Sequence, residues 1–312
     1  MTELNQLYDR LVSAIGGGDE AQIEDTTRRI AENAAEDFPT LHSALNALGY
    51  HNHLALLNEA MRVAWPQVQA AATYSQAAVN AYAGRATDHL IYAYLDEQEA
   101  PNAHDPDLIQ QLERYFPVDA GRLDPYLHLL RGAVGRAWTL SDFEPMTMQP
   151  LHGLMIEFQG YARRHESVPF SRTHLVRQLL PRYFMDRAAG NLVPKMDVAA
   201  ALRTGRRPFP GATPNPEPKH TLCPDAVTLE LFLKRLLQTM DPQTYAAAAI
   251  LQLLPAWLRF LQVRDLLEAP EAREVLRALA GLGQALASFW SEHGDLKLRQ
   301  NVAGWPSLPG DV

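Results

Sequence analysis

The chain has 312 residues, 47% hydrophobic and 21% charged, with a net charge of −8. That length provides one large domain or two ordinary ones with a substantial core, and the composition excludes a wholly disordered, collagen-like or disulfide-stapled chain. The single cysteine, Cys223, excludes an internal disulfide, and MTELNQLYDR has neither the basic start nor the apolar run of a secretory signal, so a cytoplasmic protein is expected.

Taken in order, Leu4, Leu7, Leu11 and Ile15 recur at helical spacing until Gly16-Gly17-Gly18, and Asp19 caps a second helix carrying Ile23 and Ile30. A third helix opens at Pro39 and is stopped by Gly49. A fourth carries Leu54, Leu57, Met61 and Trp65 and is cut off at Pro66. Val68 to Tyr82 reads as another helix, ended by Gly84, and Leu90 to Leu95 as the next. Asp105-Pro106 and Asp124-Pro125 each join a capping carboxylate to a residue suited to the first helical position, so helices are expected from both, to about Phe116 and Trp138. Two prolines within 141–150 break the periodicity and mark the expected boundary between an N-terminal helical subdomain, 1–144, and a C-terminal one, 150–312.

Beyond that boundary, Leu151 to His165 reads as a helix and Ser171 caps another with Leu175, Leu180 and Phe184. The helical signal lapses across 190–224, a Pro-rich strap expected to pack over the helices or onto a second subunit. Asp225 starts a helix with Leu229 and Phe232. Asp241-Pro242 then starts the most apolar helix, about 241–263, whose polar positions Gln252, Pro255, Arg259 and Gln262 share one stripe. A helix apolar on all sides but a narrow strip belongs at the centre of an all-helical domain. Its length approaches that of a membrane span, but Gln252, Arg259, Arg264 and Asp265 oppose that reading, and no membrane association is expected. Pro255 removes one backbone bond and is expected to bend the helix, leaving a carbonyl for water or a neighbouring side chain to satisfy. The last long helix opens at Pro270, and the tail from Gly294 reads as irregular, anchored by Trp305. No alternating strand pattern is present. The expected fold is all-α, about a dozen helices in an orthogonal or stacked bundle around 241–263, with no significant sheet.

Chemistry is sparsely signalled. The H-E-x-x-H, G-x-S-x-G, Walker and E-x-x-H spacings are missing, and Gly281-Leu282-Gly283 lacks both a third glycine and a preceding strand, so it is read as packing. His51 with His53, and His220 with Cys223, offer two ligands each where a stable metal site needs three or four; no metal and no cofactor is expected. The charge is uneven: 160–207 holds ten Arg or Lys against three acids, among them Arg163, Arg164, Arg172, Arg177, Arg182 and Arg187. Such a segment either docks on the chain's own acidic parts, the preferred reading, or receives an anion.

These features favour a non-enzymatic interaction or scaffold protein acting as a homo-oligomer, a homodimer in the simplest case, with a protein partner at the strap and Trp305. The alternative is a binder or enzyme for a small anionic ligand held between helices, with Arg259, Gln252, Arg163, Arg164 and Arg177 as its ligand-binding residues. No catalytic residue stands out. Nucleic-acid binding is the weakest reading, because the acidic bulk of the chain repels a long polyanion.

Overall fold

The computed structural model describes residues 3–192, 220–238, 243–303 and 305. Among them are thirteen α-helices and no strand, as the all-α expectation requires. In chain order they are α1 (Glu3–Gly17), α2 (Glu20–Glu32), α3 (Phe38–Tyr50), α4 (Leu54–Ala70), α5 (Gln76–Glu97), α6 (Pro106–Leu112), α7 (Ala120–Leu130), α8 (Met148–His165), α9 (Phe170–Ala188), α10 (Ala226–Gln238), α11 (Thr244–Val263), α12 (Ala269–His293) and α13 (Leu296–Ala303). A 3-10 turn, Leu140–Phe143, precedes α8.

The centre is α11, with fifteen of its twenty residues buried. It is the one helix among the described residues long and apolar enough to cross a membrane, and 78% of that window is covered by the rest of the fold. Its small residues Ala246 to Ala249 let neighbouring backbones approach, while Trp257 fills the space between Phe158, Phe184 and Phe260 at ring separations of 5.3, 6.1 and 5.6 Å. Around it, α3, α8, α9, α10, α12 and α13 pack directly against its surface. The main core they build draws on both sides of 141–150, joining Leu45 and Met61 to Leu154 and Trp257. A smaller core, from Tyr92, Leu95, Leu108, Leu127, Ile156 and Phe170, lies where α5, α6, α7, α8 and the start of α9 meet.

Proline 255 frees the carbonyl four residues back, that of Leu251. The indole Nε1 of Trp305 donates to that oxygen at 2.8 Å. Space for the ring comes from Gly283 on α12, where a Cβ would stand 2.0 Å from the Trp305 ring. A helix-interior proline, a glycine and a tail tryptophan, far apart in sequence, therefore form one latch.

Several boundaries differ from the sequence expectation. Helix α4 runs through Pro66 to Ala70, because Val68 is fully buried and Gln67 ties the last turn to the Ala31 carbonyl at 3.2 Å. Helix α5 starts at a Ser75 cap and continues through Gly84 to Glu97, so the expected stop at Gly84 is corrected: nothing lies within 4 Å of a Cβ there, and buried residues on both sides hold the helix together. Helix α7 is capped by Asp119, not Asp124, leaving Pro125 inside; it ends at Leu130, where Gly132 turns at φ 80°. That end rests on Gly160 of α8, where a Cβ would come within 2.1 Å of the Leu129 carbonyl. Helix α9 begins one residue before Ser171, and the tail after Gly294 is helical, with Asp295 Oδ1 accepting from Leu298 N at 2.9 Å. The Asp241-Pro242 start and most of the Pro-rich strap lie outside the described residues.

Replacing Gly283 with alanine is expected to expel the Trp305 ring and orphan the Leu251 carbonyl, costing about 1–3 kcal/mol in urea unfolding. Trp305→Phe keeps an aromatic ring but loses the N–H and the five-membered ring, an expected cost of about 1 kcal/mol from the hydrogen bond with a further loss from packing. A Gly283→Ala protein as stable as the parent would contradict the latch.

Candidate functional site

Helix α5 passes from one core to the other. Tyr82, Ala83 and Ala86 belong to the main core, whereas Ile91, Tyr92 and Leu95 belong to the smaller one. Helix α9 does the same, with Phe170 in the smaller core and Leu175, Val176 and Leu180 in the main one. At this seam the inward positions are polar: Arg85, Asp88 and His89 on α5, Gln159 on α8, and Thr173, His174 and Arg177 on α9. Clefts between packed units are where ligand sites concentrate.

From outside to inside, His152 is exposed, Asp88 and Arg177 are 15% and 11% exposed at their side chains, and Gln159, Thr173, Tyr92 and His89 are fully buried. Arg177 is fully engaged: it donates to Tyr126 (2.6 Å), Tyr92 (3.1 Å) and Gln159 Oε1 (3.1 Å), and pairs with Asp88 Oδ2 at 3.2 Å. Tyr126 also donates to Asp88 Oδ1 at 2.7 Å. Burial works against the Arg177 charge, but Tyr126, Asp88 and Tyr92 outweigh it and hold the group well above its ordinary value. His174 Nε2 accepts from the Gln178 amide at 2.8 Å, which places its proton on Nδ1, 3.1 Å from the Tyr92 oxygen and 3.6 Å from Asp88 Oδ2. Burial first, then His89 and Arg177, push His174 well down, so it is neutral.

Deeper in, satisfaction stops. Arg85 is 4% exposed, and none of its three guanidinium nitrogens has a hydrogen-bond partner among the described residues. Burial lowers it to about 10, still charged at neutral pH. His89 Nδ1 donates to the Arg85 carbonyl at 2.8 Å, and its Nε2 is buried without a partner among the described residues. Burial and the nearby Arg85 charge hold both His42 and His89 down at about 3. On α3, the Asn46 amide nitrogen reaches His42 Nδ1 at 3.4 Å while its oxygen is left unpaired.

The residues picked out from the sequence separate into three places. Arg177 lies in the seam. Arg163 and Arg164 line a cavity of about 580 Å³ together with Arg131, Leu95, Leu130 and Phe170. Arg163 pairs with Asp96 at 2.7 Å there, and Phe170, stacked on Tyr92 at 5.1 Å, stands between this cavity and the seam. Arg259 is neutralised by a bidentate contact with Glu166 at 2.7 and 2.8 Å. Gln252 sits beside the Tyr50 hydroxyl, its amide atoms buried and unpaired among the described residues.

Of the histidines read as metal hints, His51 bonds Asp295 at 2.9 Å with both side chains almost fully buried, and Tyr245 donates to the same carboxylate at 2.9 Å. His220 Nε2 meets the Leu266 carbonyl at 2.8 Å and its Nδ1 accepts from Leu222 N at 3.1 Å, while burial pushes the Cys223 thiol up to about 12. No three His, Cys, Asp or Glu side chains among the described residues are grouped to hold a metal. Comparison with family models, curated proteins and solved structures returns no match.

A helix stop at Gly84, as the sequence suggests, hides Arg85, Asp88 and His89, which lie on the continuous α5. The available signal was the run Arg85, Asp88, His89, Tyr92, polar residues at the i, i+3, i+4, i+7 spacing of a buried face.

An unfolded histidine titrates near 6.5. Between that value and about 3, the unfolded chain binds protons that folded His42 and His89 refuse. Their contribution to stability is therefore complete above about pH 6.5 and is lost as pH falls toward 3, at about 1.4 kcal/mol per pH unit for each histidine. Burial, then the Arg85 and Arg177 charges, keep His89 neutral, with the Tyr92 and His174 rings packed against it. His89→Gln is expected to flatten the pH 7 to 5 stability slope by about one such step; an unchanged slope would show that His89 is not the group refusing the proton.

Proposed function

We propose that this chain is a binder of a small anion, held at the inner end of the polar seam between α3, α5 and α9. The observation carrying the reading is the Arg85 guanidinium, buried and without a hydrogen-bond partner among the described residues. An unpaired buried cation costs several kcal/mol, a large share of the 5–15 kcal/mol that typically separates folded from unfolded protein.

The other well-buried arginines are answered from within the chain. Arg187 holds the backbone carbonyls of His220, Thr221 and Cys223, Arg264 pairs with Glu157 at 2.8 Å, and Arg172 donates to the Tyr50 carbonyl at 3.0 Å. Each of these keeps at least one firm partner for its charge, although Nε of Arg187 and of Arg264 is unpaired, whereas all three nitrogens of Arg85 lack one among the described residues. The Arg177 and Asp88 network above it is complete in itself, and fixes the position of His174 and Tyr92 at the site's outer wall. His152 and the partly exposed Asp88 and Arg177 mark the side facing solvent.

The interaction reading places a partner at the strap and Trp305; most of the strap lies outside the described residues, Trp305 is turned inward onto Leu251, and the exposed apolar side chains that remain include Val134 (78% exposed), Val263 (65%) and Leu296 (56%). No contact within the hydrophobic clusters of the described residues joins these three side chains into one patch, whereas the seam groups are joined by hydrogen bonds and ring contacts across packed helices. The geometry therefore favours the anion.

Arg85→Met preserves length and removes the charge. In anion-free buffer the variant is expected to be more stable than the parent by about 1–4 kcal/mol, since an uncompensated buried charge has been replaced by an apolar chain. The parent should gain thermal stability on titration with inorganic anions, and the variant should not. A destabilised Arg85→Met protein that keeps the anion response would refute the assignment.

A further inference from the structure

Resting on the anion reading, we infer that the ligand is an oxyanion that carries its own proton, of the hydrogen phosphate or bicarbonate type. Arg85 offers donors only. His89 offers the opposite: a carbonyl can only accept, so the 2.8 Å contact with the Arg85 carbonyl commits the His89 proton to Nδ1. In the neutral ring Nε2 is then a bare lone pair, fully buried and unpartnered among the described residues.

A second acceptor lies on α3. Asn46 spends its amide N–H₂ on His42 at 3.4 Å, and its Oδ1 is buried and unpaired among the described residues. The unmet groups around the seam are thus a cation with N–H donors and neutral acceptors. A bare anion such as chloride or nitrate answers Arg85 and is repelled by the lone pair of His89. Water answers the lone pair and leaves the charge uncompensated. An anion with an O–H answers both: its charged oxygens accept from Arg85 and its hydroxyl donates to His89 Nε2.

The groups facing His89 exclude the simplest escape, which is protonation of the ring. Arg85 lies on its own helix, Arg177 and His174 face it from α9, and no carboxylate of the described residues is among the groups that shift it. A second positive charge beside Arg85 is opposed from both helices, so the proton must arrive on the ligand. Sites that hydrogen-bond a ligand hydroxyl reject analogues lacking it by large factors, because the buried partner is left unpaired.

Matched pairs of anions test this by isothermal titration at pH 7 in the wild-type chain. Phosphate and sulfate share a tetrahedral shape, and only phosphate carries a proton; bicarbonate and nitrate share a planar shape, and only bicarbonate does. The expected result is that in at least one pair the protonated member binds 100-fold or more tightly than its partner. His89→Gln, which can present an amide N–H as well as an oxygen, is expected to reduce that ratio to within tenfold. Equal affinities within both pairs would overturn the inference and leave the anion site standing. Binding by none of the four would overturn the anion reading itself.

Discussion

Burying a guanidinium among aromatic and imidazole rings, with no hydrogen-bonded carboxylate among the described residues, constrains everything packed around it. Arg85 lies on a helix that must cross from one hydrophobic core to another, and the crossing cannot be made apolar while that charge is present. Its field helps keep His42, His89 and His174 neutral. Neutral imidazoles in turn present one donor and one acceptor each, so every tautomer in the seam follows from what its other nitrogen touches. The Arg177 and Asp88 pair completes the layer by closing its solvent side with a self-satisfied network.

The central helix supplies the rigid frame for that layer. Fifteen buried residues on α11 leave α9 little freedom, because it packs along α11 on one face and along α8 on another. The aromatic packing of Trp257 against Phe158 and Phe184 joins α11 to both of those helices. Helix α9 then holds Thr173, His174 and Arg177 in register with α5. The latch of Trp305 on the Leu251 carbonyl and the buried His51–Asp295 pair fasten the C-terminal helices onto the same frame. A deeply buried central helix thus braces a group left unpaired among the described residues, the arrangement by which a stable scaffold carries a locally unfavourable site.

Much of the fold was legible in the sequence because apolar residues at a 3.6-residue period, with Asp caps at Asp19, Asp105 and Asp225, specify helices locally. The centrality of α11 was equally plain from its composition. Prolines and glycines misled where tertiary packing overrode propensity: Pro66 and Gly84 sit inside helices held by the burial of Val68, Arg85 and Ala86. The site was obscured by the same error. A stop at Gly84 divides the polar stripe of α5 from the helix that carries it, and the partners of Arg177 on α5, α7 and α8 are 18 to 89 residues away. Local charge density marks Arg163 and Arg164, and the polar stripe of the central helix marks Arg259; the acidic partners of Arg163 and Arg259 are contacts only folding creates.

The central claim is that the charge of Arg85 is answered by a bound anion. A high-resolution crystal structure of the protein, purified without removal of its natural ligand, tests this most directly. The account predicts density for a small polyatomic group within hydrogen-bond distance of the Arg85 guanidinium and of His89 Nε2. Ordered water alone around Arg85, or a carboxylate of the chain itself paired with it, would contradict the account.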